Sequence, residues 1–319
     1  MNNYILGIDT SAYTTSIAIV DEDTGEIKIN LKKILSVPKG QKGLRQQEAV
    51  FQHLNNFQEL FSSIDLDLSH VSIVSVSSRP RRIEGSYMPV FTVGKNYGEV
   101  IAKTLNCSFV EYSHQENHIS ASLIDNYKEI SNNILAIHIS GGTTEFLKAE
   151  KSNIGYNTEI VGGSKDITFG QLIDRIGTYM AFSFPCGVHM EEYIKDYSNF
   201  DKITLPSVSK STYINLSGIE NYYKNLIDKN KYNKQSLIYS LFEYVAQCII
   251  NIISLLKMNL DFKTIIITGG VAANSIIRNM VISKFSFEYN IIFPSRDNSS
   301  DNAVGLAYLP IIDRWYNET

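Results

Sequence analysis

The sequence predicts an α/β protein of two lobes, built twice on one strand-rich plan. Three observations predict it. A chain of 319 residues exceeds what one compact core usually takes. Two β-hairpins of similar shape stand about half a chain apart. Near the C-terminal end, an apolar β-branched run leads through a glycine pair into a helix.

The elements follow in order. Residues 4–8 and 16–20 are short apolar runs joined by small and hydroxyl residues, a hairpin that opens the chain. Helical apolar spacing covers residues 48–60, a buried strand residues 71–76 and a second helix residues 92–105. An N-terminal lobe of residues 1–110 is expected to close there, completed by the C-terminal segment 301–319, with residues 111–300 forming the C-terminal lobe. The second hairpin has runs at 135–139 and 145–147 around Ser140, Gly141, Gly142, Thr143 and Thr144. Residues 169–182 and 237–256 have helical periodicity, and the latter has no Gly or Pro, as a core helix would. Residues 264–281 read as strand, Gly269–Gly270 turn, and helix from near Ala272.

Composition narrows the function. With 44% hydrophobic and 19% charged residues the chain is an ordinary globular one. A net charge of -4 argues against general binding to nucleic acid or an anionic membrane, so any RNA contact must be local. Cys107, Cys186 and Cys248 have no CxxC spacing, which excludes a disulfide framework and a cysteine-built zinc site. The first residues show no export signal, and no window supplies the roughly 18 apolar residues of a membrane span. A reduced cytoplasmic setting, away from membranes, is the expectation.

Small-residue turns let backbone N–H groups approach phosphate oxygens where a Cβ would obstruct them. The chain has such turns at residues 9–15, 140–144 and 269–274, with a further pair at Gly162–Gly163. Singly each only reverses the chain; together, facing one another across a cleft, they would form a nucleotide pocket. A sharper signal is the HxxxH pair His114 and His118, which a helix begun at Ser113 would present on one face. Such a pair either ligates one metal ion or lies on a solvated face. Gln115 stands where zinc-protease chemistry needs Glu, which removes that reading. Asp301 is either a third ligand or a simple N-cap. Two histidines and one carboxylate would leave positions open, as in a catalytic Fe(II) or Zn(II) site.

At these residues the chain resembles the TsaD family, tRNA N6-adenosine threonylcarbamoyltransferases with the two-lobed actin-like ATPase fold. The resemblance covers nearly the whole chain and is carried by His114 and His118, the SGG turn Ser140 to Gly142, the GGVAAN turn ending at Asn274, and the SSDNA stretch holding Asp301. It implies duplicated mixed-sheet domains with a cleft between the lobes. It implies that His114, His118 and Asp301 hold one divalent ion, Fe2+ or Zn2+. It implies that His138, Ile139, Ser140, Gly141, Gly142, Asp174, Gly187 and Asn274 contact an adenine nucleotide or acyl-adenylate, with Asp174 accepting from ribose hydroxyls. The activity it implies is transfer of a threonylcarbamoyl group from threonylcarbamoyl-AMP to N6 of the tRNA adenosine beside the anticodon, with TsaB-like and TsaE-like partner subunits.

The departures matter as well. Where the family's first turn continues Ser-Cys-Asp-Glu-Thr, this chain has Ser11, Ala12, Tyr13, Thr14 and Thr15. SGGHT becomes SGGTT at Thr143, and a Gly-Pro-Gly loop is replaced by one holding Arg79, Arg81 and Arg82. Those arginines either bind an anion through charge-assisted forks or pair with Glu84. The changes suggest a diverged paralogue, whose acceptor would be tRNA, a small molecule or a protein amine; a non-catalytic nucleotide-binding subunit is the alternative from another class. His53 and His70 read as surface or boundary residues, and Cys186 as a buried, inert thiol.

Overall fold

A computed structural model describes residues 3–11, 13–37, 44–125, 127–129, 131–295, 298 and 301–319. Ala12, Ser299 and Ser300, each part of a motif above, lie outside the described residues. The chain forms two compact units, residues 1–130 with 150–158 and 294–319, and residues 131–149 with 159–293.

The first unit holds a five-stranded sheet in the order β3-β2-β1-β4-β5. Its strands are β1 (Tyr4–Ser11), β2 (Thr14–Asp21), β3 (Ile27–Ile34), β4 (Val71–Arg79) and β5 (Ser108–Ser113). Antiparallel pairing joins β1 to β2 and β2 to β3, while β1, β4 and β5 run parallel. Both faces of β1 and β2 are covered by helices, which explains why residues 5–8 and 17–20 carry no polar side chain on either face. Leu6, Ile8, Ile17 and Ile19 pack with Phe57 of helix α1 (Gln46–Ser62) and Ala102 of helix α2 (Phe91–Leu105), whereas Ile5, Ala18 and Val20 pack with Val304, Ala307 and Ile312 of the C-terminal helix Val304–Glu318. Helix α3 (His114–Leu123) continues directly from β5. A Cβ on Gly305 would collide with the backbone oxygen of Asn117, so glycine there is what lets the C-terminal helix lie against α3. The expected boundary after residue 110 therefore falls inside β5: its pairing with β4, and the contact of α3 with the C-terminal helix, keep residues 111–130 in the first unit.

The second unit holds a six-stranded sheet, β11-β10-β6-β7-β8-β9. Its elements are β6 (Asn133–Ile139), β7 (Thr144–Lys151), β8 (Tyr156–Ser164), α4 (Phe169–Tyr179), α5 (Cys186–Ile194), β9 (Tyr213–Ile214), α6 (Ser217–Asp228), α7 (Lys234–Leu256), β10 (Thr264–Thr268), α8 (Ser275–Phe285) and β11 (Asn290–Ile292). The order β8-β7-β6-β10-β11 repeats β3-β2-β1-β4-β5 of the first sheet, as duplication of a hairpin-led unit requires. Helix α7 is long and apolar enough to cross a bilayer, yet Ile238, Leu241, Val245, Ile249 and Ile252 are buried in the core of this unit.

Candidate functional site

Local chemistry starts α3 at the first histidine. Ser113 Oγ accepts from the Glu116 N–H at 3.3 Å, and the Glu116 carboxylate accepts from the Ser113 N–H at 2.7 Å, a reciprocal capping box at the carboxyl end of a parallel strand. Glu116 is wholly buried and held further by Arg82 Nη1 at 3.1 Å and the Tyr156 N–H at 2.9 Å. Arg82 is thus engaged with Glu116, not Glu84, and it also donates to the Ile154 carbonyl. Asn117, on the next position of the helix, donates to the Asn302 carbonyl at 2.5 Å and accepts the Leu306 N–H at 3.0 Å. That side chain ties the start of the C-terminal helix to α3, and so brings Asp301 to the histidines from 183 residues away in the sequence, counting from His118.

His114 and His118 project from one face of α3 with their Nε2 atoms 3.0 Å apart. Asp301 Oδ1 lies 3.6 Å from His114 Nε2 and 3.4 Å from His118 Nε2. One ligand atom from each residue falls within 4.8 Å of the others. Ligand atoms each about 2.0–2.2 Å from one ion stand roughly 3–3.5 Å apart, so the donor set fits a single divalent cation. Asp301 is not the helix cap: that position is Ala303, which has no capping side chain, while Asn302 Oδ1 accepts the Val304 N–H at 2.9 Å.

Behind His114 stands Asp9 of β1, fully buried, with Oδ1 3.2 Å from His114 Nδ1 and also accepting from Ser77 Oγ. A carboxylate only accepts, so His114 donates from Nδ1, and its Nε2 faces His118 and Asp301, where loss of a proton would present a lone pair. Among the described residues Asp9 Oδ2 has no protein partner, and a buried carboxylate with an unsatisfied oxygen suits a site beside a cation. Burial disfavours charge on His114, but the charge and hydrogen bond of Asp9 and the charge of Asp301 hold its pKa up at about 9. The donors and this charge balance both fit a bound metal ion.

The hairpin turn completes the surroundings. Thr14 Oγ1 donates to Asp301 Oδ2 at 3.4 Å, and on the opposite face of the hairpin Thr15 Oγ1 is 2.8 Å from His53 Nδ1. His53 is fully buried, which corrects the expectation of a surface or boundary residue; burial pushes its pKa down to about 4 against the charge of Asp9. Sequence reasoning placed Asp9 and Thr14 in a turn expected to face a nucleotide and not beside the histidines, and it passed over Asn117. Only the Ser113-x-x-Glu116 spacing was a readable signal; the other contacts depend on tertiary packing.

In the second unit, β6 and β10 are in register at His138 and Thr268, which sets the SGG turn beside Gly269. Gly269 has a φ of 96°, and a Cβ there would collide with the Ile139 carbonyl oxygen, so that glycine serves the fold. Gly141, Gly142 and Gly270 are different: among the described residues a Cβ on any of them would meet nothing within 4 Å. Ser140 Oγ accepts from the Gly142 N–H at 3.3 Å and the Thr143 N–H at 3.1 Å, which shapes the turn from within. Asp174 on α4 accepts the Cys186 N–H at 2.8 Å at the start of α5, next to Gly187. Asn274 caps α8, accepting the Ile277 N–H at 3.0 Å, and donates to Glu191 of α5 at 3.2 Å. The turn after Gly269 is a short 3-10 segment, Gly270–Ala273, and α8 begins at Ser275, three residues later than the sequence suggested, because Asn274 is the residue that can cap it.

The comparisons with known proteins agree with this architecture. A sequence model of the family described as tRNA N6-adenosine threonylcarbamoyltransferase matches residues 38–308. The chain is 28% identical to the tRNA N6-adenosine threonylcarbamoyltransferase of Nanoarchaeum equitans, over 98% of this chain and 94% of that one. It is 26% identical to the enzyme of that name from Fusobacterium nucleatum, over 95% and 89%. Among solved structures, HypF of T. kodakarensis superimposes with a TM-score of 0.61 at 12% identity, covering 99% of this chain and 48% of that one. Component A of the Acidaminococcus fermentans (R)-2-hydroxyglutaryl-CoA dehydratase gives 0.57 at 16% identity, covering 98% of both chains. These two likenesses show an actin-like fold.

Proposed function

The chain belongs to the TsaD family of tRNA N6-adenosine threonylcarbamoyltransferases, a family of acyltransferases, and from that premise we propose that it transfers threonylcarbamoyl from threonylcarbamoyl-AMP to N6 of the tRNA adenosine beside the anticodon. The observation that carries this reading is the convergence of His114, His118 and Asp301 within 4.8 Å in a chain of this family. In the reaction the N6 amine attacks the carbamoyl carbon, the bond from that carbon to the AMP oxygen breaks, and AMP leaves with the electron pair while the amine gives up a proton. His114, His118 and Asp301 would hold an Fe2+ or Zn2+ ion. Such an ion, when bound, supplies Lewis-acid stabilisation of developing negative charge.

The chain's own residues do the rest. Among the described residues nothing crowds Gly141, Gly142 or Gly270, and although the Gly142 N–H already donates to Ser140 Oγ, this open space beside the turns leaves room for phosphate oxygens and supports a nucleotide role for His138, Ile139, Ser140, Gly141 and Gly142. Asp174, Gly187 and Asn274 would complete the adenylate contacts. Asp174 has one oxygen committed to the start of α5, and ribose hydroxyls would be met by the other. No nucleophilic side chain is needed, since the amine attacks directly. The setting is cytoplasmic, with tRNA as acceptor and TsaB-like and TsaE-like subunits as partners.

The test is transfer from enzymatically made threonylcarbamoyl-AMP to unmodified tRNA, with metal-loaded protein and the partner subunits present, read as nucleoside mass. A mass gain abolished by Asp301→Ala, at least about 100-fold, is expected. No gain on tRNA with adenylate still bound would move the acceptor to a small molecule or protein amine. Full activity in metal-free protein would sink the metal reading.

A further inference from the structure

The proposed reaction uses three ligands and leaves the polar end of the first hairpin without a task. That end is unusually polar for a buried hairpin. Asp9, Ser11, Thr14, Thr15 and Ser16 are all buried, and among the described residues neither Asp9 Oδ2 nor Ser11 Oγ has a protein partner. Alternation along β1 puts Asp9 and Ser11 on one face, and the register pairs Ser11 with Thr14. Two contacts from this hairpin reach two different candidate ligands, Asp9 Oδ1 to His114 Nδ1 at 3.2 Å and Thr14 Oγ1 to Asp301 Oδ2 at 3.4 Å. The oxygens of Asp301 are thereby divided, Oδ2 toward Thr14 and Oδ1 toward both imidazoles.

From the other face the hairpin is pinned. His53 of α1 meets Thr15, while Thr10 Oγ1 donates to the Val90 carbonyl at 2.9 Å and accepts the Gly94 N–H of α2 at 3.1 Å. A strand end held on both sides is a rigid support, and supporting hydrogen bonds are what fix the ring orientation of a metal-binding histidine.

Taking His114, His118 and Asp301 as metal ligands, as proposed above, we infer that Asp9 and Thr14 are positioning residues that make the first hairpin the support of the metal centre. Asp9 holds His114 with its Nε2 lone pair presented, and Thr14 holds Asp301 with Oδ1 presented. Thr14 stands where the resembled family carries a glutamate. A hydroxyl at this place donates to Asp301, whereas a carboxylate would repel it.

The experiment uses the full chain and Zn2+ as probe, with affinity measured by competition against a chromophoric chelator and ligand geometry by the visible absorption of Co2+-substituted protein. Wild type is expected to bind one ion. Asp9→Asn should weaken Zn2+ binding by about 10–100-fold and alter the Co2+ bands. Thr14→Val should weaken it by about 3–10-fold, and Thr14→Ser, which restores the donor, should return it to within about 2-fold of wild type. Thermal midpoints of the metal-free proteins control for folding, and if Asp9→Asn does not fold the Thr14 pair decides alone. Unchanged affinity in the folded variants, or equal weakening by Thr14→Ser and Thr14→Val, overturns the positioning inference while the metal reading stands. Wild type that binds no ion overturns the metal reading, and with it this one.

Discussion

The two units carry their candidate chemistry in opposite ways. In the first, polar side chains do it: His114, His118, Asp301 and Asp9 come from α3, the segment before the C-terminal helix, and β1, and they touch one another directly. In the second, backbone does it: the turns at Ser140–Gly142 and Gly270 are open, while the polar side chains nearby, Asp174 and Asn274, are tied into helix starts. One duplicated strand order thus presents two kinds of candidate site. Metal binding needs soft or charged donors converging on a point, which only side chains supply, whereas phosphates are met by rows of N–H groups that side chains would cover.

If that contrast is right, the units should respond differently to the smallest change, the addition of one methyl group. The largest effect is expected at Gly305→Ala. A glycine-to-alanine change inside a helix ordinarily stabilises it, but here the new Cβ meets the Asn117 backbone, so about 2–4 kcal/mol should be lost, with weakened Zn2+ binding as α3 and Asp301 separate. A stabilised Gly305→Ala variant with intact affinity would break the picture of a side-chain-assembled site.

Next in size is the buried His53. Its folded pKa, about 4, lies below the ordinary 6.5, so between these values the unfolded chain binds more protons. Stability is then fully present above pH 6.5 and falls as pH drops toward 4, by about 3 kcal/mol over the window. Urea titrations at pH 7 and pH 4.5 should show a steeper loss for wild type than for His53→Asn; parallel losses would show that the hairpin is not supported by a neutral histidine.

Smallest are the effects in the second unit. Asn274→Ala should cost about 1 kcal/mol through loss of the α8 cap, whereas Gly141→Ala should leave the thermal midpoint unchanged and weaken binding of a non-hydrolysable adenylate about 10-fold. Calorimetry separates the two, and Gly141→Ala with full affinity would remove the reason for reading that turn as a phosphate cradle.

Legibility differed between the fold and the site in an instructive way. Both hairpins, the helix over residues 237–256 and the glycine turn near 269 were readable because each is announced by local periodicity or by a residue type with a local backbone preference. The pair His114 and His118 was readable for the same reason, since a spacing of four is a helix face. Asp9 was not, because β1 is apolar on both faces and nothing local says which polar residue at its end will meet a histidine over a hundred residues later. The surface reading of His53 failed likewise: helical spacing tells that a residue shares a face, not what that face is pressed against.

What the sequence by itself determined are the elements, their caps and the donor types: the Ser113-x-x-Glu116 box that starts α3 on His114, the histidine spacing, and the glycines that keep two turns bare. Only the tertiary structure decided that Asp301 joins the histidines, that Arg82 is spent on Glu116, and that the first hairpin stands behind the ligands with Asp9 and Thr14. The reason is one of range. Caps and periodicity are settled by interactions a few residues apart, whereas convergence of donors depends on which helices can approach, and that was set by a missing Cβ at Gly305 and one amide at Asn117.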